Sequence, residues 1–134
     1  MNVGDVMDQL GEALDTIDGL RVYDFPTEAI TPPAAVLAYP ESIAFDETYG
    51  HGMDKLTLPV LVMVGRVSER SARDQLTPYA DGSGALSVKA AVEGYTYTAA
   101  DDVHVTSADF DVVRIAGVDY AAALFTVQVA GPGA

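Results

Sequence analysis

The sequence predicts a single α+β domain in which helices pack on a mixed or mainly antiparallel sheet. Apolar residues recur every three or four positions over Asn2–Asp18, which is the spacing of an amphipathic helix. The run Leu56–Val64 is the most apolar in the chain, and Phe110–Ile115 and Tyr120–Val129 flank a glycine turn as the two arms of a β-hairpin do. Because the other helix signals cluster in mid-chain and do not follow every strand, a doubly wound parallel sheet is disfavoured.

The N-terminal helix and three short strands come first. Asn2 is a suitable N-cap for the helix, and Gly19 a left-handed stop after it. Three short strands are then predicted at Leu20–Asp24, Ala34–Tyr39 and Ser42–Phe45. Two loops separate these strands and the next one, a proline-rich segment at residues 25–33 and a glycine-bearing segment at residues 46–54.

The apolar run Leu56–Val64 predicts a central strand, because both of its alternating faces are mostly apolar. Pro59 lacks a backbone donor, so we expect the first half of this strand to lie at a sheet edge or a bulge. A helix capped by Ser68 is predicted to run to about residue 77 or 79, and a shorter one over Ala85–Val92. A short strand at Val103–Thr106 then precedes the hairpin.

Length and composition are those of one globular domain. The chain has 134 residues, which we divide into a domain at 1–130 and a flexible tail at 131–134. It has no cysteine, and no apolar run approaches the roughly 20 residues of a membrane-spanning helix. The N-terminus lacks the basic and apolar regions of a signal peptide, so we expect no membrane association.

The chain is strongly acidic, with a net charge of −13 from 20 acidic and 7 basic residues. Such a surface repels phosphate backbones, which argues against tight binding of nucleic acid. One interpretation is solubility, or adaptation to a high-GC or saline source. The other is a surface past which nucleic acid moves without adhering, and composition alone leaves both interpretations open.

No catalytic or metal-binding motif is recognisable in the sequence. The two histidines, His51 and His104, lie in a loop and in an edge context, each beside acidic residues but without the spacing of a liganding motif. No nucleophile elbow and no phosphate-binding glycine loop occurs. We therefore expect a protein that is not an enzyme and holds no cofactor, with weak Ca²⁺ or Mg²⁺ binding at an acidic loop left open.

Arg66, Arg70 and Arg73 form a local basic cluster at the exit of the apolar strand and on the following helix. Arg70 and Arg73 are three positions apart, so they share one helix face. The cluster either pairs with acidic residues of the same chain or forms part of a seam between subunits, where arginine suits bidentate carboxylate pairing.

Several segments together resemble a known family. A proline-rich loop is followed by residues 32–49, reading PPAAVLAYPESIAFDETY; a strand ending in VGR leads to SERSARDQLTPYAD, and SGALSVKAAVEG precedes the final hairpin. This arrangement covers most of the chain and is similar to the small tail terminator, or tail completion, proteins of phages with long non-contractile tails and high-GC hosts.

The resemblance implies a structural virion protein. Tail terminators form a hexameric ring at the head-proximal end of the tail tube, where they stop tube polymerisation and join the tail to the head. The implied partners are further copies of the chain, the tail tube protein and a head-completion or stopper protein, with DNA passing through the ring without specific binding. The implied location is the virion tail, and the host cytoplasm during assembly. An acidic lumen would reduce friction with the DNA.

On this interpretation Arg66, Arg70 and Arg73 are the candidate residues of the subunit interface. The two long loops are candidate contacts with the tube or a neighbour, because loops on a rigid scaffold often carry binding. Their candidate contact residues are Phe25, Pro32, Pro33, Tyr49, His51 and Met53.

Three alternatives remain at this level. The chain could be another component of the head–tail connector, such as a stopper or adaptor. It could be a small ligand-binding domain or enzyme, in which case a pocket containing His104 or His51 with acidic residues is expected. It could also be a protein with no role in assembly.

Overall fold

In a computed structural model of the chain, residues 2–23, 33–38, 40–45, 53–66, 71–115 and 117–132 are described. These residues form three helices and six strands, which confirms the predicted α+β class and the single domain. Their bounds are α1 Val3–Asp15, β1 Arg21–Tyr23, β2 Ala34–Leu37, β3 Ser42–Ala44, β4 Met53–Arg66, α2 Ala72–Ala80, α3 Val88–Gly94, β5 Asp102–Ile115 and β6 Val118–Pro132.

The strands form one mixed sheet in the order β1–β2–β4–β6–β5, with β3 paired to β4 on the same side as β2. Only the β1–β2 pairing is parallel among these strands, and every other pairing is antiparallel. The long strand β4 is central, as its apolar run predicted. The terminal strands of the described sheet are β1 on one side and β5 on the other.

The main hydrophobic core lies between the three helices and one face of the sheet, which we call the helix face. Every second residue of β4 points into it, and Leu58, Val60 and Val62 are completely buried there. From the helices, Leu10 and Leu14 of α1 pack into the same cluster, together with the side chains of Leu76, Tyr79, Val88 and Val92.

The opposite face of the sheet, which we call the second face, carries a smaller cluster of Ala34, Val36, Met63 and Ala122. All four side chains are buried, so β4 contributes buried residues to both faces, as its sequence predicted. No helix of the described ranges belongs to this second cluster.

The place of Pro59 differs from the prediction of an edge or a bulge, and that prediction is wrong. On one side Pro59 lies opposite Thr126 in the uninterrupted pairing of β4 with β6. On the other side the pairing of β2 ends at Val60 and that of β3 begins at Thr57. The Pro59 carbonyl accepts the Ala38 N–H at 3.3 Å, so the backbone of Pro59 faces this side of β4. Its nitrogen, which has no hydrogen to donate, therefore faces the break between β2 and β3.

Strand β5 also differs, because the two strands predicted at Val103–Thr106 and Phe110–Ile115 are one. The register of β5 against β6 shifts between Val105 and Ser107, which is the signature of a β-bulge. The bulge reverses the alternation of faces along the strand, so the sequence pattern reads as an interruption. The Thr106 hydroxyl bonds to the Thr126 carbonyl at 3.3 Å beside this irregularity.

The helix ends follow from local capping. The Asn2 side chain accepts the Asp5 N–H at 3.0 Å, and Gly19 has a φ of 80°, so both predicted signals are confirmed. Helix α3 starts three residues later than predicted, because the Ser87 hydroxyl accepts the Ala90 N–H at 3.1 Å and so caps the helix there. The predicted cap of α2, Ser68, lies outside the described residues.

At the C-terminus, β6 continues through Gly131 and Pro132, opposite Asp54 and Met53 of β4. The segment expected as a tail from residue 131 therefore begins with two paired residues. Asp54, which the sequence places in a loop, is a buried residue of β4.

The cap of α3 yields a matched pair of stability predictions. The buried Ser87 hydroxyl donates to the Asp81 carbonyl at 2.5 Å as well as accepting the Ala90 N–H. We expect Ser87→Ala to lower the free energy of unfolding by about 1–2 kcal/mol, because both buried bonds are lost. The measurement is urea unfolding followed by circular dichroism.

The control is Ser71→Ala at the start of α2, where the serine makes no capping bond and, among the described residues, its hydroxyl accepts a hydrogen bond from the Gln75 side chain at 3.2 Å. We expect the control to change stability by less than about 0.5 kcal/mol. Equal losses in the two variants would contradict the assigned capping role.

Candidate functional site

Two residues of the predicted basic cluster have a described backbone. Arg66 is the last residue of β4, opposite Tyr120, and Arg73 is the second residue of α2. Their side chains, and Arg70 as a whole, lie outside what the structure describes. The assignment of Arg66, Arg70 and Arg73 to a subunit interface therefore stays a prediction.

Two of the six predicted loop contacts fall on described backbone. Pro33 is half-buried and its carbonyl accepts the Arg21 N–H at 3.1 Å, so it already belongs to the pairing of β1 with β2. Met53 is the first residue of β4. The other four candidates, Phe25, Pro32, Tyr49 and His51, lie outside the described residues.

His104 lies on the second face of the sheet and pairs with Asp102, with 3.3 Å between Nδ1 and Oδ2. The two side chains are 49% and 65% exposed. Lys55 and Gln128 line the same surface recess, whose volume is about 210 Å³. An exposed pair of this kind contributes about 0–1 kcal/mol and leaves the imidazole in contact with solvent.

Within the described ranges, no group of three or more histidine, aspartate or glutamate side chains is arranged to hold a metal ion. The sequence left weak Ca²⁺ or Mg²⁺ binding open at two acidic stretches. One of them, residues 46–52, lies outside the described part of the chain.

An acidic strip follows the exposed side of α1. Asp5, Asp8, Glu12 and Asp15 are all exposed there. Three of these carboxylates, Asp8, Glu12 and Asp15, line a cleft of about 390 Å³ between α1 and β1, where the half-buried Val22 forms part of the wall. The cleft therefore combines negative charge with one apolar residue of a terminal strand.

The other terminal strand, β5, exposes apolar side chains. Phe110 is 64% exposed and Val112 is 50% exposed, although the pairing of β5 with β6 places both side chains on the helix face of the sheet. Asp109 and Asp111 flank Phe110 and point to the second face. Sequence reasoning placed this segment in a hairpin but did not identify it as an open edge. The signal was the alternation of aspartate with large apolar residues.

At the tip of the β5–β6 hairpin, the Arg114 side chain bonds to Asp119, with 2.9 Å between Nε and Oδ1. This hydrogen bond raises the pKa of Arg114 above its ordinary value and lowers the pKa of Asp119. The two residues lie directly opposite each other in the β5–β6 pairing, so the bond joins the two arms of the hairpin near its tip.

The lower half of β5 is tied to α3 through Glu93. The Glu93 carboxylate accepts hydrogen bonds from the Lys89 ammonium and, at 3.1 Å, from the Val105 N–H. The Lys89 bond lowers the pKa of Glu93, burial opposes this shift, and the Val105 bond lowers the pKa further. The Val105 N–H, which points away from β6, thus has its hydrogen-bond partner, Glu93, in the same subunit.

The chain matches no protein-family model. A comparison with curated proteins likewise finds no match. None of the described helices is both long and apolar enough to cross a membrane.

The Glu93 contacts predict a pH-dependent contribution to stability. Because the folded-state pKa of Glu93 is lowered, its contribution is fully present above the ordinary carboxyl pKa of about 4.3 and is lost as pH falls through the folded-state value. We expect Glu93→Gln to be less stable than wild type at pH 7, with the difference shrinking below about pH 4. Chemical unfolding across this pH range measures it.

Glu41→Gln is the matched control, since it removes one exposed glutamate charge away from α3. A stability difference for Glu93→Gln that stays constant from pH 7 to pH 3, or equals that of the control, would contradict the assigned role of Glu93.

Proposed function

We propose that this protein is a structural ring protein of a phage virion, a tail terminator that caps the head-proximal end of a long non-contractile tail tube. Copies of the chain assemble side by side, stop further addition of tail tube protein and present a surface to the head-completion or stopper protein. DNA passes through the ring during ejection without specific binding.

The observation that carries the proposal is a single sheet whose terminal strands, β1 and β5, have no partner strand on their outer sides within the described part of the chain. A ring of identical subunits needs two different complementary surfaces on each subunit. The edges of β1 and β5 lie on opposite sides of one sheet and differ in charge and apolar character. The resemblance of residues 32–49, 59–81 and 83–93 to tail terminators supports the same role.

The acidity of the chain supports a channel role as well. With a net charge of −13, a ring of several copies would repel the phosphate backbone and so let DNA slide past its lumen. The exposed carboxylates of α1 show that part of this charge lies on one surface strip.

The recess with His104 and Asp102 is the observation that favours a second candidate, a small ligand-binding domain or enzyme. Replacing both residues by asparagine would abolish such an activity. Ring formation and tube capping would be unaffected under the first proposal.

Negative-stain electron microscopy with tail tubes tests the proposal. The tubes are assembled from the tail tube protein encoded in the same genome, with and without this protein. We expect six-fold rings at one end of each tube and a narrow distribution of tube lengths in its presence. Tubes with unaltered ends and unaltered lengths would contradict a terminator role, and rings that bind only completed heads would favour a stopper or adaptor.

The same assay tests the basic cluster. Replacing Arg66, Arg70 and Arg73 together by glutamine is expected to leave the far-ultraviolet circular dichroism unchanged and to reduce the fraction of capped tubes. Loss of the folded signal would instead assign the three arginines to bracing within the subunit.

A further inference from the structure

Among the residues that the structure describes, no strand pairs with the outer side of the upper half of β5, residues 108–114, and we call this stretch the open edge of β5. The last pair of the hairpin is Ile115–Val118, and two residues form the loop between them. The pair that closes a two-residue loop is a hydrogen-bonded pair of the antiparallel ladder. Counting back from this pair, the N–H and C=O groups of Val112 and Phe110 point away from β6. In agreement, the Val112 N–H donates to the Asp111 carboxylate at 2.7 Å.

Along this edge, apolar side chains lie on one face of the sheet and acidic side chains on the other. Phe110 and Val112 project on the helix face and are 64% and 50% exposed. Asp109 and Asp111 project on the second face and are exposed. Main-chain groups, apolar surface and negative charge therefore coincide on one short stretch of strand.

The edge of β1 is complementary to this stretch. The Arg21 N–H donates to the Pro33 carbonyl of the neighbouring strand, so the next residue, Val22, points its N–H and C=O to the open side. The Val22 side chain lies on the helix face, where it packs against the main core. The exposed Arg21 lies on the second face, opposite Ala34.

We propose that the open edge of β5 binds β1 of a second copy of this chain, antiparallel, with Val22 opposite Phe110. This contact specifies the subunit interface of the ring and in that sense rests on the proposed function. In this register Arg21 comes directly opposite Asp111 on the second face, while Val22 covers Phe110 on the helix face.

The strand directions agree with a continuous sheet. β1 is parallel to β2, and three antiparallel pairings separate β2 from β5. β1 and β5 therefore run in opposite directions, so copies placed side by side in one orientation meet as an antiparallel pair with their faces matched. Such a head-to-tail contact uses two different surfaces and closes into a ring when its rotation divides a full turn.

Charge favours this partner over β5 of another copy. Two β5 edges paired with each other would place Asp109 and Asp111 of one copy beside those of the other on the same face. Like charges directly opposite each other destabilise a strand pair, whereas Arg21 opposite Asp111 stabilises one.

Because the chain has no cysteine, single introduced thiols report the contact directly. Val22→Cys and Val112→Cys are diagonal neighbours across the proposed interface and leave Phe110 in place. With a short thiol-specific cross-linker, we expect a mixture of the two variants to form a covalent dimer, and the double variant to form a ladder of higher multimers. Each single variant alone should give no covalent dimer, because its thiols do not meet across the contact.

The matched control mixes Val22→Cys with Lys55→Cys, an exposed position on the central strand β4. Cross-linking of that mixture to the same extent would mean random collision and would overturn the proposal. Efficient dimers of Val112→Cys alone would assign the contact to two β5 edges instead. No dimer in the mixture of Val22→Cys and Val112→Cys, with both variants folded by circular dichroism, would also overturn it.

Charge reversal tests the register. Asp111→Arg or Arg21→Asp, each added to the cysteine variants, should lower the cross-linked yield about tenfold, since an attraction becomes a repulsion. Combining the two reversals should restore the yield. Failure of the combination to restore it would contradict the Arg21–Asp111 pairing.

Different results would refute the edge contact and the terminator role. Wild-type protein that caps tubes while the cysteine pair does not cross-link would refute the edge contact and leave the terminator role standing. Cross-linked multimers from a protein that never alters tail tubes would do the reverse.

Discussion

The antiparallel pairing of β4 with β6 is the constraint on which the rest of the structure depends. It brings Leu58, Val60 and Val62 onto the face that all three helices cover. A slip of one residue would replace them there with Thr57, Pro59 and Leu61, so the core enforces the register. The same pairing also provides the scaffold on which the short strands β2 and β3 meet end to end beside Pro59.

The two terminal strands, β1 and β5, determine which surfaces of the subunit are available for pairing. Among the described residues the sheet ends in β1 on one side and in β5 on the other. In the lower half of β5, the outward Val105 N–H is bonded to Glu93 of α3. Natural proteins usually protect an edge that exposes large apolar residues, since it is a template for pairing with another chain. The exposure of Phe110 between two aspartates fits an edge that is reserved for a charged and specific partner.

Local pattern predicted most of the helices and strands, whereas the pairing between strands that are distant in sequence was not predictable from it. The spacing of apolar residues predicted α1, and the apolar run predicted the central position of β4. The break that accommodates Pro59 depends on two strands that are distant in sequence, and the bulge near Thr106 breaks the alternation by which a strand is recognised. Nor could alternation reveal that β5 is a terminal strand, so the exposure of Phe110 was not foreseen. The cluster of Arg66, Arg70 and Arg73 stays a prediction.

The most direct test of the account is amide hydrogen exchange measured over a range of protein concentrations. We expect the amides of Val22 and Phe110 to exchange rapidly in dilute solution and to become protected as the protein concentration rises. The amides in the centre of β4 should exchange slowly throughout, because they are paired within each subunit. Protection at Val22 and Phe110 that does not depend on concentration, or that grows instead on the second face around His104, would contradict it.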